Sequence, residues 1–296
     1  MKDKHAERVA IYRDTLSILR SGRYTSLSGK EYSLPEEDIT MESSRWYKEE
    51  FSVASFPPVE GGSHFLVEKR DCVEAAIGLQ DKGYNPALLN LADLYIPGGL
   101  VEYGSGAQEE NLCRRSNLMQ SLYQYSRSRI RLLPDLELKQ NEDQYPMDEK
   151  FGGVYSGKVL FFRSTEKDGS VLLDDPRNIP VISVAAISGP GITPEGNLYP
   201  EDEALTREKM RTIMRIGLDN GHDSLVLSAF GCGAFSNPPA AIARLFHETL
   251  LEDEFRDRYR LVDFAILDGY RTGMSHNPEG NFIPFQSDAP VKVDTE

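Results

Sequence analysis

The glycine-rich loop at residues 97–106 constrains the fold of this chain more than any other stretch. It follows an apolar run, residues 87–91, that is typical of a buried strand, and it leads into a helical pattern that begins near Ala107. Glycines let the backbone approach a ligand closely, and the free N–H groups of a helix N-terminus bind anions. Glu109 and Glu110 follow the loop, where they repel a phosphate unless they contact an uncharged part of the ligand. This combination predicts a phosphate-bearing sugar as ligand, with a carboxylate that acts on the sugar.

Strand-like apolar runs alternate with helical patterns along most of the chain. The predicted strands are residues 65–67, 87–91, 159–162, 181–187, 224–229 and 261–267, with a short one near Phe51. The predicted helices are residues 1–22, 72–79, 107–125, 202–220 and a last one that ends near Leu250, with Asn237 as its N-cap. Residues 134–158 are predicted to be loop. Such alternation predicts a three-layer α/β fold with a mixed sheet between helices.

The domain organisation follows from the same patterns. We expect an N-terminal helical extension over residues 1–60, a catalytic domain over residues 61–286 and a flexible tail over residues 287–296.

Charge and composition exclude several classes of function. The net charge of −14 argues against a protein that grips DNA or RNA through a broad electrostatic surface. No apolar run is long enough to span a membrane, and the N-terminus has no apolar signal core, so we expect a cytoplasmic protein. The three cysteines are too few and too scattered for a disulfide framework or a zinc site, so no metal is expected.

A second glycine-rich stretch, residues 231–233, also follows an apolar run and precedes a helix. Ligands of α/β sheets bind beyond the carboxyl ends of the strands, so the two loops are expected to hold one ligand; the alternative is that both are only tight turns. Gly104 and Gly106 match the first two glycines of the Gly-x-Gly-x-x-Gly fingerprint of dinucleotide-binding loops, but the third glycine of that fingerprint falls at Glu109. No suitable Gly-Lys-Ser/Thr, the end of a phosphate-binding P-loop, occurs in the sequence. No cofactor is therefore predicted.

Three side chains near these loops have two interpretations each. Asp93 precedes the first loop and is either a third carboxylate of the site or only a strand-end turn residue. Cys232 is interpreted as a small packed residue more readily than as a nucleophile, because no histidine lies in an obvious partner context. Phe235 is equally compatible with stacking on a sugar and with filling the core.

Adjacent residues of a helix face different directions, so Glu109 and Glu110 are not expected to flank one bond as a glycosidase pair does. One of them is expected to act at an anomeric carbon while the other hydrogen-bonds a neighbouring ribose hydroxyl. The simpler alternative is that both only complement the helix dipole.

At this point the motifs become specific to a family. Pro97-Gly98-Gly99, followed after Leu100 by seven residues and Gln108-Glu109-Glu110, closely resembles the Gly-Gly-Gly…Gln-Glu-Glu signature of poly(ADP-ribose) glycohydrolases. The flanking Leu-Asn-Leu-Ala at residues 89–92 and Leu-Cys-Arg-Arg-Ser at residues 112–116 are similar to the microbial-type branch. Further similarity at residues 154–156, 161–163, 181–186 and 231–235 extends the resemblance over nearly the whole chain.

The resemblance implies a macrodomain-like fold that binds ADP-ribose, with no metal or cofactor. It implies that Glu110 is the catalytic acid at the ribosyl bond, that Glu109 contacts ribose hydroxyls, and that Asp93 lies near the terminal ribose. Phe235 is implied to orient that ribose. The implied ligand-binding residues are Gly98, Gly99, Leu100, Gln108, Gly231, Cys232, Gly233, Ala234 and Phe235. ADP-ribose and ADP-ribosylated proteins are the implied partners of a monomeric, membrane-free enzyme.

Two departures from the family pattern leave the substrate open. Leu100 replaces the third glycine, and Asp93 stands where the family usually has asparagine. An extra negative charge at Asp93 favours a cationic leaving group, so a single ADP-ribose on arginine is one hypothesis beside the polymer. A non-catalytic ADP-ribose reader and a hydrolase of a free ADP-ribose derivative are the others. Asn277 and Phe282 are candidates for the adenine end.

Overall fold

The structure is a computed structural model that describes residues 3–53, 56–126, 141–269 and 272–287. By its contacts the chain forms two compact units. The first comprises residues 1–47, 92–147 and 154–183, and the second comprises residues 48–91, 148–153 and 184–296. The predicted division at residues 60 and 286 stays a prediction.

The strands are β1 (Arg23–Thr25), β2 (Glu31–Ser33), β3 (Ser44–Tyr47), β4 (His64–Glu68), β5 (Pro86–Ala92), β6 (Gly153–Ser156), β7 (Leu160–Arg163), β8 (Leu172–Asn178), β9 (Val181–Ala185), β10 (Ser224–Leu227) and β11 (Leu261–Ala265). The helices are α1 (Lys4–Ser21), α2 (Glu37–Glu42), α3 (Cys72–Asp81), α4 (Gln108–Arg115), α5 (Leu118–Tyr123), α6 (Pro200–Asp219), α7 (Pro239–Leu250) and α8 (Phe282–Ser287). Seven strands belong to a mixed sheet flanked by helices, which confirms the predicted α/β fold.

The first unit contains the N-terminal helix and the glycine-rich loop. Asp3 caps α1 by accepting the backbone N–H of His5, and Gly22 ends the helix with a φ of 68°. Helix α1 packs against α4 and a short 3-10 helix, Val101–Tyr103, inside the loop. Strands β6 and β9 pair antiparallel in this unit, with Val154 opposite Ser183.

The second unit contains the parallel part of the sheet, in the order β5-β10-β11-β4. Leu225 lies opposite Ala87 on one side and Val262 on the other, and all three side chains are buried. Continuous apolar runs are typical of parallel strands that are covered on both faces. Asp71 caps α3 by accepting the N–H groups of Val73 and Glu74.

Several predicted elements differ from the structure. The helix predicted over residues 107–125 is interrupted at Ser116, which has an extended backbone and whose Oγ accepts the N–H of Leu118. Strand β8 was not predicted because its sequence, Leu-Leu-Asp-Asp-Pro-Arg-Asn, is charged and contains proline. Strand β6 lies inside the predicted loop, and no strand forms at Phe51. Residues 134–140 of that predicted loop lie outside the described residues.

In the described part of the chain, no helix combines the length and the apolarity that a membrane crossing requires.

Candidate active site

The glycine-rich loop begins with a turn built by Asp93. Its Oδ1 accepts the backbone N–H groups of Tyr95 and Ile96, at 2.8 and 2.9 Å. This side chain therefore reverses the chain just after β5, as the turn interpretation requires. Its assignment as a catalytic carboxylate stays a prediction.

Gly98 and Gly99 lie at positions where the backbone requires glycine. Their φ angles are 73° and 56°, in the left-handed region. A Cβ on Gly99 would lie 2.7 Å from Oε1 of Glu110 and 3.2 Å from Oε2 of Glu109. The loop thus passes directly over both carboxylates, and a side chain at residue 99 would displace them.

Glu109 binds the loop backbone with both of its oxygens. Oε2 accepts the N–H of Asp93 at 2.8 Å, and Oε1 accepts the N–H of Gly98 at 3.1 Å. The side chain is buried. Glu109 therefore connects the start of the loop to the helix that follows it. Its predicted contact with ribose hydroxyls stays a prediction.

Glu110 is bound differently. Oε1 accepts the N–H of Leu100 at 3.0 Å, whereas Oε2 is buried without a hydrogen-bond partner among the described residues. A buried polar atom without a partner is costly, and a catalytic role is one of the explanations for such an atom in a native protein. The loop thus orients the carboxylate through one oxygen, while the other makes no hydrogen bond to the described residues.

Leu100 does not disturb the loop backbone at the position of the third signature glycine. Its φ is −98°, an angle that any L-residue adopts, and half of its surface is exposed. The glycine is therefore not required there by the conformation of this loop.

Helix α1 supports the loop from a distant part of the sequence. A Cβ on Gly104 would overlap the carbonyl oxygen of His5, and a Cβ on Gly106 would overlap the side chain of Arg8. Arg114, on α4, donates through Nη1 to the carbonyl of Ser105 at 2.6 Å. Sequence reasoning did not find the contacts of His5 and Arg8, because no local motif marks a contact between segments about a hundred residues apart.

The interior beside the two glutamates holds two neutral side chains, Cys113 and Tyr145, and one charged side chain, Arg114. Burial raises the pKa of Cys113 and of Tyr145 well above their usual values, and the charge of Glu109 raises both further. Burial, and secondarily the charge of the nearby Arg8, lowers the pKa of Arg114 to about 10. Arg114 is therefore still charged at neutral pH. The predicted Gln108 is the first residue of α4 and is half-buried.

The second glycine-rich loop, in the second unit, is organised by Asn237. The Nδ2 of this residue donates to the carbonyls of Ile187 at 2.8 Å, Gly231 at 3.1 Å and Phe235 at 3.4 Å. Asn237 is not the N-cap of α7, because Pro238 occupies that position. The amide side chain instead closes the loop on itself and ties it to residue 187.

The predicted ligand-binding residues of this loop differ in exposure. Cys232 is fully buried, and burial raises the pKa of its thiol, so the thiol is neutral and packed. Its carbonyl lies 2.9 Å from Nε2 of His276. Gly233 and Phe235 are half-buried, and Ala234 is exposed. Phe235 is thus neither a fully buried core residue nor a fully exposed one.

The residues proposed for the adenine end lie in the same unit. Asn277 is buried and donates to Oδ1 of Asn281 at 2.9 Å. Phe282 lies under the ammonium group of Lys69, 4.7 Å from its ring centre. Among the described residues no cluster of three or more His, Cys, Asp or Glu side chains has an arrangement that could hold a metal ion.

Comparison with known proteins identifies the family and the fold of the chain. The family model described as microbial-type PARG, catalytic domain, matches residues 12–164. The chain is similar to the poly(ADP-ribose) glycohydrolase (PARG) from Thermomonospora curvata, with 27% identity, a TM-score of 0.73, and coverage of 96% of this chain and 99% of that one. It is also similar to the Deinococcus radiodurans PARG in complex with ADP-ribose, with 26% identity, a TM-score of 0.62, and coverage of 87% and 98%. No curated protein matches the chain.

The mixed sheet, its helices and the loop above two glutamates define an α/β protein of the macrodomain class. The chain belongs to the microbial-type PARG catalytic-domain family, as the resemblance predicted.

Proposed function

We propose that this protein is an ADP-ribosyl glycohydrolase that releases ADP-ribose from ADP-ribosylated protein by hydrolysis at the ribosyl anomeric carbon. The observation that carries this proposal is the buried Oε2 of Glu110, which has no partner among the described residues while Oε1 is held by Leu100. A carboxylate fixed at one oxygen and available at the other suits proton transfer to a leaving group.

In the proposed reaction, protonated Glu110 donates its proton to the oxygen or nitrogen of the leaving group. The bond from that atom to the anomeric carbon breaks, its electron pair leaves with the protonated acceptor, and an oxocarbenium-like ribosyl cation forms. Water attacks the anomeric carbon and transfers a proton to Glu110, which restores the acid. Glu109 supports the loop throughout, because both of its oxygens accept backbone N–H groups.

A single ADP-ribose on arginine is the second candidate substrate, and Asp93 favours it. The turn uses only Oδ1 as an acceptor, and the amide oxygen of asparagine can accept the same two N–H groups. The turn therefore does not explain why the residue is charged. A negative charge at this position stabilises a guanidinium leaving group.

The test is release of ADP-ribose from a panel of substrates: the polymer, and proteins that carry one ADP-ribose on arginine, glutamate or serine. We expect turnover of at least one substrate by the wild type and a loss of at least about a thousandfold in Glu110→Gln. Binding of free ADP-ribose is measured beside it. Tight binding without turnover of any substrate would identify a reader and contradict the proposal.

The arginine hypothesis has its own variant, Asp93→Asn, which preserves the turn. We expect it to lower turnover of the arginine-linked substrate about tenfold more than turnover of the serine-linked one. An unchanged preference between the two linkages would exclude a role for the charge of Asp93.

A further inference from the structure

Four large apolar side chains are exposed on the glycine-rich loop and on the turn that directly precedes it. Tyr95 is 68% exposed, Ile96 46%, Leu100 50% and Tyr103 60%. We call these four residues the lip. One exposed apolar side chain is ordinary on a protein surface, but a cluster of them marks an interaction site.

Backbone hydrogen bonds hold the lip beside the catalytic carboxylate. The N–H of Gly99 donates to the carbonyl of Ile96 at 2.9 Å, and the N–H of Tyr103 donates to the carbonyl of Leu100 at 3.0 Å. The N–H of Leu100 itself donates to Glu110. A leaving group that takes a proton from Oε2 of Glu110 lies within about 3 Å of that oxygen. The lip is therefore close to the leaving group.

The charge of this segment does not suit a polyanionic leaving group. Residues 83–113 contain no lysine, arginine or histidine, whereas Asp93, Glu102, Glu109 and Glu110 are acidic. Arg8, which lies against Gly106, is bound to Glu166 through two hydrogen bonds of 2.7 and 3.1 Å. Arg114, the first cation after this segment, is buried and donates to the carbonyl of Ser105. Each further unit of an ADP-ribose polymer brings two phosphate charges, which this loop has no lysine, arginine or histidine of its own to bind.

We propose that the lip binds the polypeptide to which a single ADP-ribose is attached, on the leaving-group side of the scissile bond. Apolar and aromatic side chains bury surface against a polypeptide without requiring charge. Leu100, which replaces a signature glycine, is then a residue that determines specificity for the acceptor. This inference rests on the proposed glycohydrolase function.

The experiment compares two substrates that share ADP-ribose and differ in the leaving group. One is a peptide with a single ADP-ribose through a linkage that the wild type cleaves, and the other is ADP-ribose joined to a nitrophenol. In Tyr95→Ser/Ile96→Ser we expect kcat/KM for the peptide to fall about tenfold, through KM, and kcat/KM for the nitrophenyl compound to stay within about twofold.

The matched control is Leu27→Ser/Leu251→Ser, which removes two exposed leucines elsewhere, 74% and 42% exposed. It is expected to leave both substrates unchanged. Equal losses on both substrates in the lip variant, or no loss on the peptide, would overturn the proposal. A wild-type preference for the polymer over the peptide would also overturn it.

Binding in Glu110→Gln separates this inference from the proposed function, because it does not need turnover. With the lip changes added, we expect the Kd of the ADP-ribosylated peptide to rise about tenfold and the Kd of free ADP-ribose to stay constant. Free ADP-ribose that does not bind at all contradicts the proposed function. If the peptide and free ADP-ribose have the same Kd, both with and without the lip changes, the result contradicts the proposal about the lip and leaves the proposed function standing.

Discussion

Oε2 of Glu109 lies 2.8 Å from the backbone nitrogen of Asp93, so the residue that starts the glycine-rich loop is bound to the helix that ends it. Oε1 of the same carboxylate accepts the N–H of Gly98. The neighbouring Glu110 uses only one oxygen in this way. The loop backbone thus donates to both oxygens of Glu109 but to only one oxygen of Glu110.

This difference predicts unequal effects on stability for the same substitution at the two positions. Glu109→Gln places an amide NH2 against a backbone N–H donor, so we expect the free energy of unfolding to fall by about 1–3 kcal/mol. Glu110→Gln keeps an acceptor oxygen for Leu100, so we expect its stability to stay within about 0.5 kcal/mol of the wild type. Urea unfolding of both variants measures this. A Glu109→Gln variant as stable as Glu110→Gln would show that the bonds to Asp93 and Gly98 do not support the loop.

Gly99→Ala is expected to abolish activity. Its Cβ would lie 2.7 Å from Oε1 of Glu110, and the φ of 56° disfavours alanine. We expect at least about a hundredfold loss of ADP-ribose release, because the carboxylate of Glu110, the proposed acid, is displaced. Gly269→Ala is the control, since a Cβ there meets nothing within 4 Å. Full activity in Gly99→Ala would mean that the loop moves away from Glu110 without consequence.

Asn237→Ala is expected to loosen the second glycine-rich loop. The substitution removes the donor to the carbonyls of Ile187, Gly231 and Phe235, which costs about 2–3 kcal/mol of the free energy of unfolding. If this loop holds part of ADP-ribose, the Kd of ADP-ribose rises as well. Calorimetric titration and thermal unfolding measure the two effects. An unfolding free energy equal to that of the wild type would contradict the role of the amide.

The stability of the protein is expected to depend on pH through Asp263. Burial on β11, and secondarily the charge of nearby Glu68, raises the pKa of this carboxyl to about 7. Between about pH 4 and pH 7 the unfolded chain loses this proton while the folded protein keeps it. The contribution of the protonated carboxyl is complete below about pH 4 and is lost as the pH rises through 7.

Asp263→Asn is therefore expected to reduce the loss of stability between pH 4 and pH 7 by at least about 1 kcal/mol. Asp253→Asn is the control, because that side chain is fully exposed. Urea unfolding at several pH values measures the slope. Parallel curves for the wild type and Asp263→Asn would show that Asp263 has an ordinary pKa.

Much of the secondary structure could be predicted, because apolar runs and helix ends are local properties. The cap at Asp71 and the end of α1 at Gly22 follow from single residues and their neighbours. The interruption at Ser116 could not be predicted, because that residue forms an isolated bridge with Phe161, far away in the sequence. Asn237 was misinterpreted as a cap for the same reason, since its partners include residue 187.

The sequence by itself determined the family, the α/β fold and the glycine loop with its two glutamates. Glycine spacing and residue type can be read directly from the sequence, so a motif can be recognised without coordinates. Only the tertiary structure decided which oxygens of the two glutamates accept backbone N–H groups. These N–H groups belong to residues 93, 98 and 100, and they reach the glutamates only when the loop folds over α4. It also decided that Leu100 leaves the backbone undisturbed and turns half of its surface to solvent.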